Sequence, residues 1–205
     1  EAEAVAKKKA EDEARAKAEL AATAAPTNVA AHPKPASTGT AGAPLFTAPA
    51  GGLATNSVGM IFVHLASGFW AAKYEVTQAE YQKVMGNNPS KSVADRQPVE
   101  TVSWNDAVEF TRKLNESERD RLPAGMAYAL PTDKQWKELL AAQRFDELPG
   151  RGFTGRSRPL TVGQGPANKL GLHDVLGNVW EWTRDTAPGE KRLLKGGAFN
   201  SISYD

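Results

Sequence analysis

Few residue types in this chain can do chemistry. None of its 205 residues is a cysteine, which excludes disulfides, thiolate metal sites, iron–sulfur clusters and a cysteine nucleophile. Its three histidines, His32, His64 and His173, stand far apart. A facial iron triad ordinarily needs two convergent imidazoles beside a carboxylate. No spacing here supports one, and His64 and His173 read most simply as independently placed. Lys+Arg number 25 against Asp+Glu 24, a formal charge of +1, so no overall field draws the chain to nucleic acid or to an anionic membrane. Arg151, Arg156 and Arg158 lie among glycines. A phosphate or acidic contact there competes with the plainer reading of a solvated loop.

The elements that must position these groups divide the chain in three. Residues 1–20 join strong helix formers to mixed charges, with Glu11 and Arg15 four apart, and predict a solvated helical spacer. Its apolar positions are almost all alanine, too small to drive a strong coiled coil. Residues 21–52 turn to Ala, Pro, Thr, Ser and Gly, a composition that cannot offset its ordering entropy and predicts a linker. From Leu53 the chain gains all five tryptophans and regular Gly and Pro punctuation, so the folded domain is placed at 53–205. No apolar run approaches the roughly 18–20 residues of a membrane span. The chain begins at Glu1 rather than Met, which leaves room for an upstream anchor.

Within the domain three capping boxes predict three short helices, starting at Thr77 with Glu80, Ser103 with Asp106, and Thr132 with Gln135. The second presents Trp104, Ala107, Val108, Thr111 and Leu114 on one face and the third Trp136, Leu139 and Leu140, both toward a shared core. Short aromatic segments at 60–64, 69–76, 128–130, 179–183 and 192–195 predict brief strands between long connections. The fold class is α+β and poor in regular structure.

Six segments in order, GMIFVHL (59–65), KYEVTQAEYQKVMGNNPS (73–90), QPVETVSWNDAVEFTRKLN (97–115), ALPTDKQW (129–136), NKLGLHDVLGNVWEW (168–182) and LLKGGAFN (193–200), resemble the formylglycine-generating-enzyme or sulfatase-modifying-factor family. The resemblance covers about residues 58–205 and implies a variant of the C-type-lectin-like fold. Residue by residue the blocks keep plain readings: Trp104 and Trp136 as core anchors, and Gly177, Gly196 and Gly197 as sites of turns that a Cβ would obstruct.

The resemblance also implies chemistry. The family's enzymes carry two cysteines shortly after a Gly-Gly-(Ser/Ala)-aromatic motif, where they bind copper. Placing that motif on Gly196, Gly197, Ala198 and Phe199 puts Ser201 at the first cysteine. A hydroxyl is a hard, weakly acidic ligand and does not replace a thiolate for Cu(I), so copper is not expected and the chain is read as non-catalytic. Iron, used by other members of the fold, has no support in the residues. A structural calcium at the GNVWEW loop is also implied, with Asn178 and Glu181 as oxygen donors beside the carbonyls of Gly177 and Val179. The competing reading puts the Glu181 carboxylate on a wet strand face and turns Trp180 and Trp182 to the core. Diversified binding members of the fold imply a ligand surface at Asn200, Ser201, Ser203 and Tyr204, against the plainer reading of an exposed polar turn.

The expected function is a binding, display or scaffold module for a protein or small-molecule ligand. The stalk-like preceding segment favours an extracytoplasmic or periplasmic site. The alternative is a metal-dependent oxidoreductase of formylglycine-generating or non-haem-iron type, with its missing ligands outside these residues. The family's later segment, ending in Gly-Phe-Arg, has no counterpart here, and the domain is read as incomplete at its C-terminal end.

Overall fold

The structure, a computed structural model, describes residues 45–141, 143–144 and 155–201. The spacer of residues 1–20 and the linker up to residue 44 lie outside them.

Strand β1 (Leu53–Thr55) enters a turn organised by Asn56, whose Oδ1 accepts from the N–H groups of Val58, Gly59 and Met60. The chain returns as β2 (Ile61–His64), which pairs antiparallel with β1 and with β3 (Trp70–Ala72). Helices α1 (Gln78–Met85), α2 (Trp104–Ser117) and α3 (Asp133–Leu139) follow. Each opens on the capping box predicted for it, with the Thr77, Ser103 or Thr132 side chain accepting from the backbone N–H three residues on. A second antiparallel pair, β4 (Glu181–Ala187) and β5 (Lys191–Lys195), closes the described chain, with a register irregularity between Trp182 and Thr186.

The shared core divides into two. Successive side chains of a strand point to opposite faces. On β2, Phe62 packs with Val58, Met60, Tyr81, Phe110 and Leu114, while Val63 packs with Leu65, Ala71, Trp136, Leu172, Val175 and Leu176. The three-stranded sheet therefore serves α1 and α2 on one face and α3 with the 170–176 loop on the other. Each fully buried large side chain contributes about 1.5–3 kcal/mol. Trp104 and Trp136 are buried, as expected of anchors, and Phe110 joins the α2 face that the spacing gave without it.

Two expectations need correction. Residues 128–130 form no strand: the backbone of Tyr128 is satisfied by the Asn115 side chain, which donates to its carbonyl (2.9 Å) and accepts from its N–H (2.7 Å). A side-chain amide has taken the place of a strand partner. The domain also begins before Leu53. Leu45 is buried and its N–H donates to the Arg121 carbonyl (3.0 Å), and Phe46 sits edge-on to Phe62, Trp70 and Tyr128 at centroid distances of 5.1–5.8 Å. Two bulky residues in a stretch of small ones are enough to dock that segment.

Candidate functional site

The site gathers where the 174–181 loop, the segment before α1 and the turn after β5 meet. Helix α3 presents Trp136, and its indole N–H donates to Glu181 Oε2. Since Glu181 and Thr183 turn inward, Trp180 is turned outward and is 45% exposed. The reading that set Glu181 on a wet face and Trp180 in the core is reversed by that single hydrogen bond. Trp182 is half-buried, its N–H donating to the Val102 carbonyl (3.1 Å).

Two further carboxylates lie close, neither singled out from sequence. Glu75 is buried, Oε2 accepting from Asn178 Nδ2 (2.6 Å) and Oε1 from Val179 N–H (3.1 Å). Asp174 accepts from Gly163 N–H (2.5 Å). Burial pushes the Glu75 carboxyl well above the usual range, and the neighbouring charges of Glu181 and Asp174 add to it, against the two N–H donors. Burial likewise raises Glu181 to about 7, opposed by the Trp136 N–H and assisted by Asp174. Asp174 is raised by burial, opposed by its bond to Gly163 and by His173. Carboxylates set among bulky residues, Glu75 between Tyr74 and Val76 and Asp174 between His173 and Val175, were the signal that sequence reasoning passed over.

The four residues considered for calcium meet unevenly. The Asn178 carboxamide is committed elsewhere: Oδ1 accepts from Leu160 N–H (2.8 Å) and Nδ2 donates to Glu75. Three carboxylates lie near the loop, and carboxylate oxygens are the donors a hard cation takes, but Glu75 and Glu181 already accept from N–H groups of the protein. Among the described residues no three carboxylates or imidazoles converge as a ligand set. Glu181 and the loop carbonyls of Gly177 and Val179 are the donors left. His64 stacks on Trp70 at 4.5 Å and bonds the Ala48 carbonyl, whereas His173 bonds that of Gly165 and lies 5.0 Å from the Tyr74 ring.

The Gly-Gly-Ala-Phe turn packs directly on this loop. Gly196 has φ +92°, and a Cβ there would lie 2.9 Å from the Val175 carbonyl oxygen, so glycine alone fits. Gly177 N–H donates to the Gly196 carbonyl (2.7 Å) and Phe199 N–H to the Asn178 carbonyl (2.6 Å). Asn200 is exposed. Ser201 closes the turn on itself, its Oγ accepting from Ala198 N–H and its N–H donating to the Ala198 carbonyl, both at 3.0 Å. Ser203 and Tyr204, proposed for the ligand surface with them, lie outside the described residues, as does Arg151. Arg156 and Arg158 are exposed.

The model of the sulfatase-modifying factor enzyme 1-like domain matches residues 40–204. The chain belongs to that family. Among relatives of this sulfatase-modifying-factor domain, a protein named chaperone protein LppX from Paenibacillus barcinonensis is 29% identical over 197 residues, covering 66% of this chain and 70% of the relative. The mouse protein named inactive C-alpha-formylglycine-generating enzyme 2 is 32% identical, covering 50% of this chain. The formylglycine-generating enzyme of Thermomonospora curvata is 31% identical, covering 47%. The chain spans 37% of the length of each of these last two. Solved structures share the fold: Treponema denticola variable protein 1 has a TM-score of 0.55 at 22% identity, with 78% of this chain and 84% of that one covered. PvdO from Pseudomonas aeruginosa has a TM-score of 0.56 at 16% identity, with 76% and 88% covered. The architecture is the α+β, C-type-lectin-like one of this family. No helix among the described residues is long and apolar enough to cross a membrane.

Proposed function

We propose that this domain is a non-catalytic binding module whose partner is a polypeptide, engaged at the turn that carries Asn200 and Ser201. The observation that carries the reading is Ser201. By the resemblance it falls where the family's enzymes carry their first copper-binding cysteine, and its hydroxyl closes a turn on Ala198 N–H. A hydroxyl so engaged is a poor ligand for a soft ion. The names of two relatives, an inactive enzyme and a chaperone, support the same reading, as does the exposed Trp180 two residues from Asn178.

A structural calcium is part of the proposal. Glu181 and the carbonyls of Gly177 and Val179 would hold it, and its charge would offset that of the neighbouring carboxylates.

Light scattering from chemically denatured rhodanese, diluted into buffer with the full chain, tests the binding role. Suppression at near-stoichiometric chain, lost with Asn200→Ala and Ser201→Ala together, is the expected result. Equal scattering with and without the chain counts against a polypeptide partner.

A further inference from the structure

Asn178 adopts the left-handed conformation with φ +54°, which asparagine tolerates better than most residues. Its carbonyl accepts from Phe199 N–H at 2.6 Å, and the Phe199 carbonyl accepts from Arg156 N–H at 2.6 Å. The Asn178 carbonyl belongs to the same planar peptide group as Val179 N–H, and in a trans peptide the two point in opposite directions. Whatever grips Val179 N–H therefore aims the Asn178 carbonyl. The grip comes from Glu75, whose Oε1 accepts from Val179 N–H (3.1 Å) while Oε2 accepts from Asn178 Nδ2 (2.6 Å). Leu160 N–H holds the opposite end of the same carboxamide.

We propose that Glu75 is the positioning residue of the 196–201 turn: by fixing the 178–179 peptide plane it directs the Asn178 carbonyl onto Phe199 and so sets how Asn200 and Ser201 are presented. The demand on residue 75 is specific, because both its oxygens accept from N–H groups, an arrangement that favours the carboxylate against the burial that raises its pKa. Glutamine of the same shape offers one acceptor and one donor, which leaves a donor facing either Val179 N–H or Asn178 Nδ2. Exchanging the two side chains restores both of these bonds, at the cost of the longer 3.3 Å bond from Asn178 Nδ2 to the Leu160 carbonyl, which an aspartate cannot make. In Glu75→Gln/Asn178→Asp, the glutamine oxygen accepts from Val179 N–H, its amide donates to the aspartate, and the other aspartate oxygen accepts from Leu160 N–H, with net charge unchanged.

The functional meaning rests on the binding role proposed for the turn. The positioning is read without any partner, so failure of one is distinguishable from failure of the other. Amide hydrogen exchange on the full chain is followed at Phe199, with Glu118 as control, because its N–H donates to Leu114 at the far end of α2. In Glu75→Gln, exchange at Phe199 accelerates on the order of tenfold or more while Glu118 barely changes. The exchanged pair brings Phe199 back to within about threefold of the original. Unchanged protection at Phe199, a fall in step with Glu118, or no recovery in the exchanged pair overturns the proposal. Should Glu75→Gln fail to fold, folding of the exchanged pair supports the proposal and its failure to fold overturns it.

Discussion

The indole N–H of Trp136 donates to the Glu181 carboxylate, and through that bond helix α3 decides which side of β4 faces the protein. Removing the donor and keeping a large ring isolates the effect. Trp136→Phe leaves a buried acceptor unmatched and a small cavity, for an expected loss of about 2 kcal/mol or more by urea denaturation. Because the N–H holds the Glu181 carboxyl down, its titration moves upward in the variant, as carboxyl NMR would show.

The acid cluster sets a pH dependence whose sign is opposite to the usual carboxylate case. Glu75, Asp174 and Glu181 have raised values in the folded protein, that of Glu181 about 7, so from the ordinary carboxylate range near about 4 upward the unfolded chain binds fewer protons than the folded one. Stability therefore falls as pH rises from about 4 through the range in which Glu181 titrates. The urea midpoint measured from pH 4.5 to 8 in chelated buffer should decline, and Glu181→Gln should flatten the curve. A midpoint that rises with pH across the window contradicts the assignment.

Calcium should act on that slope. Addition of millimolar calcium at pH 8 is expected to raise the melting temperature and EDTA to reverse it, with the response removed in Glu181→Gln. Mass action gives about 2.7 kcal/mol when the ion is at 100 times its dissociation constant. Identical melting with and without calcium excludes the ion from the loop.

The aromatic cluster of Phe46 makes the earlier domain boundary testable. Phe46→Ala should cost about 3 kcal/mol, and a chain starting at Leu53 should be less stable than one starting at Pro44. Equal stability of the two would return the boundary to Leu53.

The helices were legible because a capping box is a local device: Thr77, Ser103 and Thr132 each state their own helix start within four residues. The strand at 128–130 was misread because the Asn115 amide, 13 residues away, competes for the Tyr128 backbone, and local pattern cannot register such a rival. The orientation of β4 was misread for the same reason, as alternation fixes only that Trp180 and Glu181 differ in side, while Trp136, 45 residues earlier, chooses which is inside. The turn at 196–201 was found through its glycines. Glu75 was not, because its role is defined by partners 103 and 104 residues later in the chain.

The claim at the centre of the account is that this domain binds and does not oxidise, and the most direct measurement is turnover. The full chain, loaded with copper and supplied with oxygen and reductant, is incubated with a sulfatase-derived cysteine peptide, and aldehyde is scored by mass spectrometry and hydrazide labelling. The account predicts a signal no higher than that of the peptide alone with copper. Aldehyde formed over repeated turnovers would contradict it.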